Sequence, residues 1–317
     1  MKYAYYPGCS LEHSAASYQT STMAVAEQLG LAFQEIPDWN CCGATEYFSL
    51  NLLPAYSLVA RNLALVPDGL EELAAPCSAC YVNLKKTDKY MHKYPKLGAQ
   101  VNEALAAGGL HYNAGRLKVR HLLDIIVNDV GYQTIAEHVT KPLSGQRVAP
   151  YYGCLIVRPD SDFDNPEQPT TLDRLLRALG AEVIDYPLKA QCCGGHMTQI
   201  SANVAYEMIR RLLQNAAEYK ADLIACLCPM CQLNLDAYQG KVNSHFGTDY
   251  NLPILYFTQL MALAFGLSGD AVGLGSEIVS SAVALAKIGV EAPKPEAKPK
   301  RPDKQALPMP TMPDQEA

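Results

Sequence analysis

The stretch WNCCGATEYF, residues 39–48, places two adjacent cysteines before a glycine, and AQCCGGHMTQ, residues 190–199, repeats that Cys-Cys-Gly step 151 positions later. A CxxC pair begins 35 positions after the second cysteine of each step, and one further cysteine precedes each step. Both groups therefore follow the order C, CCG, CxxC. A repeat this long and this regular predicts an internal duplication of the chain.

Residues other than cysteine repeat as well. YYPGC at residues 5–9 matches YYGC at residues 151–154, and an Asn-Leu pair follows each CxxC at the same offset, beginning at Asn83 and Asn234. The end of the chain differs, because it is rich in Pro, Lys, Glu and Ala and contains almost no core-forming residues. The predicted organisation is a first CCG domain, a second CCG domain and a disordered Pro/Lys-rich tail, over residues 1–145, 146–291 and 292–317.

Each half shows strands that alternate with helices. The segment PTTLDRLLRALG, residues 169–180, has leucines at i, i+3, i+4 and i+7, which predicts a helix capped by Thr170 or Thr171 and ended by Gly180. Such alternation predicts the α/β class, here as two pseudo-symmetric halves that each hold one CCG site. The cysteines would then follow the carboxyl ends of strands, where ligands bind in open α/β sheets. Further elements are predicted as helices over 21–29 and 202–219 and as a buried strand over 222–228.

Composition narrows the class of protein. Of 317 residues, 49% are hydrophobic and 18% are charged, which is typical of a globular chain with a substantial core. The net charge of −6 and the lack of a clustered basic face argue against nucleic-acid binding. The first ten residues lack the apolar region of a signal peptide, and the most apolar stretch, 252–267, is interrupted by polar residues and predicts a buried strand and helix. We therefore predict a cytoplasmic protein without a transmembrane segment, peripheral to a membrane only through its partners.

Eleven cysteines in a cytoplasmic chain indicate metal or redox chemistry, because cytosolic thiols are kept reduced. Thiolates are soft ligands that suit iron–sulfur clusters, zinc and copper(I). Two adjacent cysteines reach one metal site only if the backbone turns sharply, and Gly43 and Gly194 permit such a turn. Five thiolates per half exceed the four ligands of a single zinc ion, so the pattern favours an iron–sulfur site, with zinc as the alternative.

The two cysteine groups resemble those of the B subunits of heterodisulfide reductases and their relatives, the CCG-domain proteins. The motifs YYPGC, CCGATEYF, PCSAC, YYGC, CCGG and CPMCQLNL carry the resemblance, which covers residues 1 to about 290. It implies two non-cubane [4Fe–4S] clusters that face one another and cleave a mixed disulfide held between them. The ligands that it implies are Cys9, Cys41, Cys42, Cys77 and Cys80 for the first cluster and Cys154, Cys192, Cys193, Cys228 and Cys231 for the second.

The resemblance also implies an oxidoreductase that acts on a sulfur group as part of a complex. The chain lacks the cysteine run of ordinary cubane clusters and the G-x-G-x-x-G of a nucleotide-binding fold. Electrons would therefore come from a subunit with ferredoxin-type [4Fe–4S] clusters and from a flavin subunit, as in heterodisulfide reductases. The substrate would be a small disulfide, persulfide or thiol. The alternatives are a CCG-type electron-transfer subunit of a succinate- or quinone-linked oxidoreductase, and a zinc-stabilised interaction module.

Some residues break the internal symmetry. His196 follows the second CCG where the first half has Thr45, and its imidazole is a hypothesis for a catalytic proton donor to a released thiolate. Together with the tail, His196 favours a bacterial member of the family. Cys226 has Ala75 as its counterpart and is predicted to be a buried strand residue, not a ligand. Hypothetical contacts for an anionic thiol substrate are Lys85, Arg158 and Lys189.

Overall fold

The computed structural model describes residues 1–44, 47–159 and 163–289. Thr45, the predicted tail over 292–317 and the last two residues of the predicted second domain lie outside these residues. The described residues form two α/β units, each built on its own four-stranded parallel sheet. This arrangement confirms the predicted fold class, while the predicted boundary at 145/146 stays a prediction.

The two sheets have the same topology. The first sheet contains β1 (Lys2–Tyr5), β2 (Ala32–Glu35), β3 (Glu72–Ala75) and β4 (Lys118–His121). The second contains β5 (Arg147–Tyr151), β6 (Glu182–Val183), β7 (Leu223–Cys226) and β8 (Ile254–Tyr256). The strand orders are β2-β1-β3-β4 and β6-β5-β7-β8. In each sheet the chain moves first to one side of the central strand and then to the other, which opens a ligand-binding crevice at the carboxyl ends of the strands.

Helices connect the parallel strands, as the topology requires. Those of the first unit are α1 (Ala16–Gln28), α2 (Tyr47–Leu50), α3 (Leu52–Ala64), α4 (Ser78–Lys93), α5 (Pro95–Ala106), α6 (Leu122–Ile125) and α7 (Tyr132–Glu137), with a π-helical turn at Ile126–Gly131. Those of the second unit are α8 (Thr171–Ala178), α9 (Met197–Ile200), α10 (Ala202–Glu218), α11 (Pro229–Ala237), α12 (Gln239–Phe246), α13 (Phe257–Ala264) and α14 (Ala282–Leu285), with a 3₁₀ turn at Asp270–Val272.

Helix α8 follows the predicted pattern, except at its cap. Its four predicted leucines are fully buried, and Gly180 ends it with a φ of +87°. The predicted threonine cap is wrong, because the Thr170 side chain makes no capping bond. Asp164 supplies the acceptor instead, since its Oδ2 receives the backbone N–H groups of Thr170 and Thr171 at 2.9 and 2.7 Å. A carboxylate at this end also suits the helix dipole.

Other predicted elements are confirmed with small shifts. Helix α10 matches the prediction over 202–219, and the stretch 252–267 contains the buried strand β8 and helix α13. Helix α1 begins at Ala16, five residues before the predicted start. In this first turn Tyr18 packs on Phe257 of α13 in the second unit, so tertiary contacts extend the helix beyond its local pattern. No helix in the described part of the chain is long and apolar enough to cross a membrane.

Candidate metal centre

All ten cysteines of the two groups line one cavity of about 300 Å³. Each follows the carboxyl end of a strand, as predicted, so the crevices of the two sheets open into a common space. None of the eleven cysteines forms a disulfide. Cys226 is fully buried within β7 and does not line the cavity, in agreement with its predicted role. The fold therefore brings together every predicted ligand and separates the one cysteine that was set aside.

The thiols lie within contact distance of one another. Sγ–Sγ distances are 3.7 Å for Cys9 and Cys41 and 3.4 Å for Cys42 and Cys80. Thiol–thiol hydrogen bonds from its neighbours Cys42 and Cys9 hold the pKa of Cys41 well below its usual range. The hydrogen bond with Cys41 raises the pKa of Cys9. The protons in these thiol–thiol hydrogen bonds must leave when a metal binds, because the ligands of a metal are thiolates and not thiols.

The second half repeats this electrostatic pattern. A hydrogen bond from Cys154 lowers the pKa of Cys192, and the same contact raises the pKa of Cys154. In each half, the first cysteine of the CCG step (Cys41 or Cys192) therefore has a lower pKa than the single cysteine that precedes the step (Cys9 or Cys154). The duplication has preserved the electrostatics of these pairs as well as their sequence.

Two glycines leave room for the last cysteine of each CxxC pair. Gly8 and Gly153 adopt φ values of +77° and +67°, in the left-handed region that favours glycine. A Cβ atom on Gly8 would lie 3.0 Å from Cys80 Sγ, and one on Gly153 would lie 3.1 Å from Cys231 Sγ. A glycine before the first cysteine of each group therefore leaves room for the sulfur of the last cysteine of the CxxC pair.

We expect Gly153→Ala to reduce the metal bound by the second half, because the new methyl group meets Cys231 Sγ. Gly30→Ala is the matched control, since Gly30 has a φ of +65° and no atom within 4 Å of its would-be Cβ. Both variants incur the left-handed strain of about 1–2 kcal/mol. Only Gly153→Ala should lose metal, as measured by metal content per chain. Equal metal contents in the two variants would show that the contact with Cys231 is unimportant.

Buried tyrosines hold the loops that carry the CCG steps. The Tyr6 hydroxyl donates to the Asn40 carbonyl at 2.8 Å, and the Tyr151 hydroxyl donates to the Gln191 carbonyl at 2.7 Å. Each acceptor directly precedes a Cys-Cys pair, so the two tyrosines have equivalent roles in the two halves. Both rings are fully buried. The repeated tyrosines therefore pack beside the cysteine loops.

Two asparagines give the repeated Asn-Leu pairs a structural role. Asn83 Nδ2 donates to the Cys42 and Ala44 carbonyls at 3.2 and 2.5 Å and lies 3.7 Å from Cys42 Sγ. Asn234 Nδ2 makes the same contacts with Cys193, whose Sγ is 3.4 Å away. Both side chains are buried. An N–H group directed at a ligand sulfur stabilises the thiolate and influences the redox potential of a bound cluster. The repeat of the Asn-Leu pairs is visible in the sequence, but the contacts of the two asparagines with the CCG loops are not.

His196 is the one predicted catalytic residue, and it lines the cavity. The same wall contains Cys41 of the first half and Cys192 of the second. The imidazole therefore lies near the thiols of both groups, as a proton donor to the cavity must. Its role in catalysis stays a prediction.

The hypothesis that Lys189 binds an anionic substrate is not supported. Lys189 is buried, and its Nζ lies 3.0 Å from both Asp173 Oδ1 and Asp185 Oδ1. Asp173 also accepts the hydroxyl proton of Tyr152, a residue of the cavity wall. The Lys189 carbonyl receives the Tyr152 and Gly153 N–H groups at 2.9 and 3.3 Å. The buried part of this network, formed by Lys189, Asp173 and Tyr152, fixes the loop that leads to the second group. These three residues lie at least 16 positions apart, so the sequence gives no local signal for their contacts.

The other two hypothetical substrate contacts lie outside the wall of this cavity. Lys85 Nζ lies 3.1 Å from the Tyr81 hydroxyl, and Arg158 donates to the Pro166 carbonyl at 2.9 Å. Arg158 is nevertheless close enough for its charge to lower the pKa of Cys192. A contact of either residue with substrate stays a prediction.

The donor set fits a soft metal centre. Two thiolates bound at about 2.3 Å to one tetrahedral ion lie roughly 3.8 Å apart, close to the observed contacts of 3.4 and 3.7 Å. Among the described residues, no three or more His, Cys, Asp or Glu side chains already enclose a single metal position. The assignment of the ten thiols as ligands stays a prediction.

The fold and the site define a duplicated cysteine-rich α/β protein. The sequence profile of the CCG family, described as a cysteine-rich domain, matches residues 3–85 and 148–236, one match in each unit. The chain belongs to this cysteine-rich domain family. The resemblance inferred from the cysteine motifs is thereby confirmed.

Relatives of similar length come from different enzyme complexes. The chain is 31% identical over 282 residues to the 8-methylmenaquinol:fumarate reductase membrane anchor subunit of Wolinella succinogenes, covering 88% of this chain and 98% of that protein. Among ferredoxin:CoB-CoM heterodisulfide reductase B subunits, it is 30% identical over 292 residues to that of Methanosarcina mazei, covering 90% and 97%. A hypothetical protein from Helicobacter pylori of known structure matches with a TM-score of 0.70 at 15% identity over 88% of this chain, which spans about half (52%) of that protein. That likeness concerns the fold alone.

Proposed function

We propose that this protein is the catalytic iron–sulfur subunit of a heterodisulfide reductase-like complex, in which it cleaves or forms a disulfide or persulfide. The observation that carries the proposal is the single cavity lined by five cysteines from each half. A site for one metal centre needs only one such group. Two groups that face a shared space fit a substrate with two sulfur atoms.

The comparisons support an oxidoreductase of this type. The chain is 28 to 30% identical to several heterodisulfide reductase B subunits and B-like proteins, with alignments that cover more than 90% of each of those proteins. The family match falls on both halves, so both cysteine groups are family features. We take the cofactors to be two non-cubane [4Fe–4S] clusters, one per half.

The residues of this chain would bind, orient and shield the reacting groups. The clusters would supply the two electrons that disulfide cleavage requires, one from each side. The ten Sγ atoms would hold them, with Asn83 and Asn234 donating N–H groups toward Cys42 and Cys193. Six of the ten cysteines are buried, which keeps water away from the floor of the cavity.

Substrate binding would depend on a mostly apolar wall. Besides the cysteines, the cavity is lined by side chains such as Leu155, Met197, Ile200 and Met230. Reduction of a disulfide to two thiols consumes two electrons and two protons. The imidazole of His196 lies in the wall and would give one of these protons to a departing thiolate.

Electrons would arrive through partner subunits. We propose a subunit with ferredoxin-type [4Fe–4S] clusters and a flavin subunit, and the relative from Methanosarcina mazei is itself named as one subunit of a ferredoxin-linked reductase. A cytoplasmic location, with any membrane contact made through partners, belongs to the same proposal.

A second candidate function is electron transfer in a quinone-linked oxidoreductase. The similarity to a membrane anchor subunit of a methylmenaquinol:fumarate reductase favours it, and so does the apolar cavity wall, where Ile200 is 70% exposed. Turnover separates the two functions. The complex should reduce disulfides if the first proposal holds, and it should oxidise a quinol without acting on disulfides if the second holds.

Metal analysis tests the shared premise. Protein purified without oxygen is expected to contain about eight irons and eight acid-labile sulfides per chain, the total for two four-iron clusters. Iron, sulfide and zinc are measured on the same sample. Zinc with little iron would contradict both redox functions and favour the interaction module, because mononuclear zinc transfers no electrons.

A further inference from the structure

The two halves meet in the wall of the cavity. Cys77 Sγ and Cys228 Sγ, which begin the two CxxC pairs, lie 4.0 Å apart across the boundary between the halves. Both side chains are buried. The residues that precede these cysteines, Pro76 and Leu227, directly follow β3 and β7 and occupy equivalent positions in the duplication.

One hydroxyl group reaches the carbonyls of both these residues. The hydroxyl oxygen of Tyr18 lies 3.1 Å from the Pro76 oxygen and 3.4 Å from the Leu227 oxygen. Tyr18 is fully buried, so no solvent competes for these acceptors. A tyrosine hydroxyl carries a single proton, and here it is shared between one carbonyl from each half.

The position of this hydroxyl is determined by both units. Tyr18 belongs to α1 of the first unit, yet its ring stacks on Tyr256 of the second, with centroids 4.2 Å apart and planes 3° from parallel. One turn further along α1, Ser21 Oγ lies 2.7 Å from Thr258 Oγ1. The ring therefore cannot shift without disturbing the contact between the halves.

We propose that Tyr18 is a positioning residue that ties the two CxxC segments together and so sets the separation of the two metal centres. The part of this inference that concerns metal centres rests on the proposed function. The Tyr18 contact is not duplicated. A Leu-Gly pair follows α1 at residues 29–30 and α8 at residues 179–180, and the residue as far before Gly180 as Tyr18 is before Gly30 is Gln168, which lies outside α8. The duplication preserved the ligands, while two buried residues of the first half, Tyr18 and His121, reach the backbone of both CxxC segments.

Removal of the hydroxyl would take one donor from two buried carbonyl oxygens and leave them to share the His121 imidazole, which also bonds to both residues. Such groups separate or admit water, because a buried acceptor without a partner is unfavourable. Either change would loosen the first turns of α4 and α11, where Tyr81 N–H and Gln232 N–H bond to the carbonyls of Cys77 and Cys228. The effect should thus appear in both halves at once.

Tyr18→Phe tests the inference, because it keeps the stacked ring and removes only the hydroxyl. Tyr112→Phe is the matched control, since Tyr112 is equally buried and its hydroxyl bonds to Asp88 within the first half alone. Hydrogen exchange, followed by mass spectrometry on the purified protein, should become several-fold faster in peptides over 76–81 and 227–232 for Tyr18→Phe. The control should leave 227–232 unchanged. 4-Aminophenylalanine at position 18 restores a donor and should recover the slow exchange.

A second measurement concerns the metal centres. In the reduced protein, Tyr18→Phe should keep its iron but lose spin–spin coupling between the two centres, as seen by electron paramagnetic resonance. Three results for Tyr18→Phe would each overturn the positioning role. These are hydrogen exchange at the wild-type rate in both segments, a change of exchange in one half only, and loss of iron. If the wild-type protein contains no iron but Tyr18→Phe still speeds hydrogen exchange in both segments, the result would support the positioning role of Tyr18 and contradict the proposed function.

Discussion

Cys193→Ala is expected to remove roughly half of the bound iron and sulfide and to leave the spectrum of the first cluster in place. Cys193 is buried, and it receives the side-chain N–H of Asn234. Its contact with Cys231 joins the CCG step to the CxxC pair in the second half. The loss should be confined to that half, because Cys193 belongs to the second cysteine group. Iron and sulfide per chain, together with the electron paramagnetic resonance spectrum of the reduced protein, measure the effect.

The control for this prediction is Cys226→Ala. Cys226 is also a buried cysteine of the second half, but it lies within β7 and outside the cavity wall. We expect this variant to retain both clusters. If Cys226→Ala loses a cluster, or if Cys193→Ala retains both, the assignment of the ten ligands is wrong.

Lys189→Met is expected to lower the free energy of unfolding by about 3–5 kcal/mol, because it leaves the buried carboxylate of Asp173 without its cation. The Asp173 side chain is 3% exposed, and the Lys189 side chain is 7% exposed. The Asp173 charge cannot be hydrated without opening the loop that leads to the second cysteine group. Urea unfolding of the anaerobically purified protein, followed by circular dichroism, measures the change.

Two further variants test whether the loss of stability in Lys189→Met comes from the unpaired Asp173 carboxylate or from the loss of any cation. Arg210→Met breaks the pair with Glu207 on the surface of α10, where such pairs contribute about 0.2–1 kcal/mol. Adding Asp173→Asn to Lys189→Met should recover most of the loss, because the amide still accepts the Tyr152 hydroxyl and carries no charge. A cost for Lys189→Met no larger than that for Arg210→Met would refute the argument.

Much of the fold was predictable because local patterns are strong here. The leucines of α8 all lie in the core, since a 3.6-residue period places them on one face of the helix. The cysteines follow strand ends in both halves, because short apolar runs alternate with helices along the chain. The start of α1 was missed, as its first turn is stabilised by the contact of Tyr18 with α13 and not by its own sequence.

The cysteines of the candidate site could be predicted from the sequence, but the contacts between the residues around them could not. Spacing alone grouped the ten cysteines and set Cys226 apart, and the structure brings the ten together. The ion pair of Lys189 with Asp173 was not foreseen, because two charged residues 16 positions apart on different elements carry no local signal. For the same reason, Lys189 resembled a substrate contact when viewed in the sequence.

The sequence by itself determined that the chain is duplicated, that each half is an α/β unit, and which thiols belong together. These properties depend on periodicity and spacing, which the order of residues contains directly. The family resemblance implied that the two groups face one another, but the tertiary structure alone shows their common cavity, the 4.0 Å contact of Cys77 with Cys228, and the bonds of Tyr18 to the segments of both. The physical reason is that the packing of one unit on the other depends on the complementary surfaces of α1 and α13, and no repeat or motif encodes that fit.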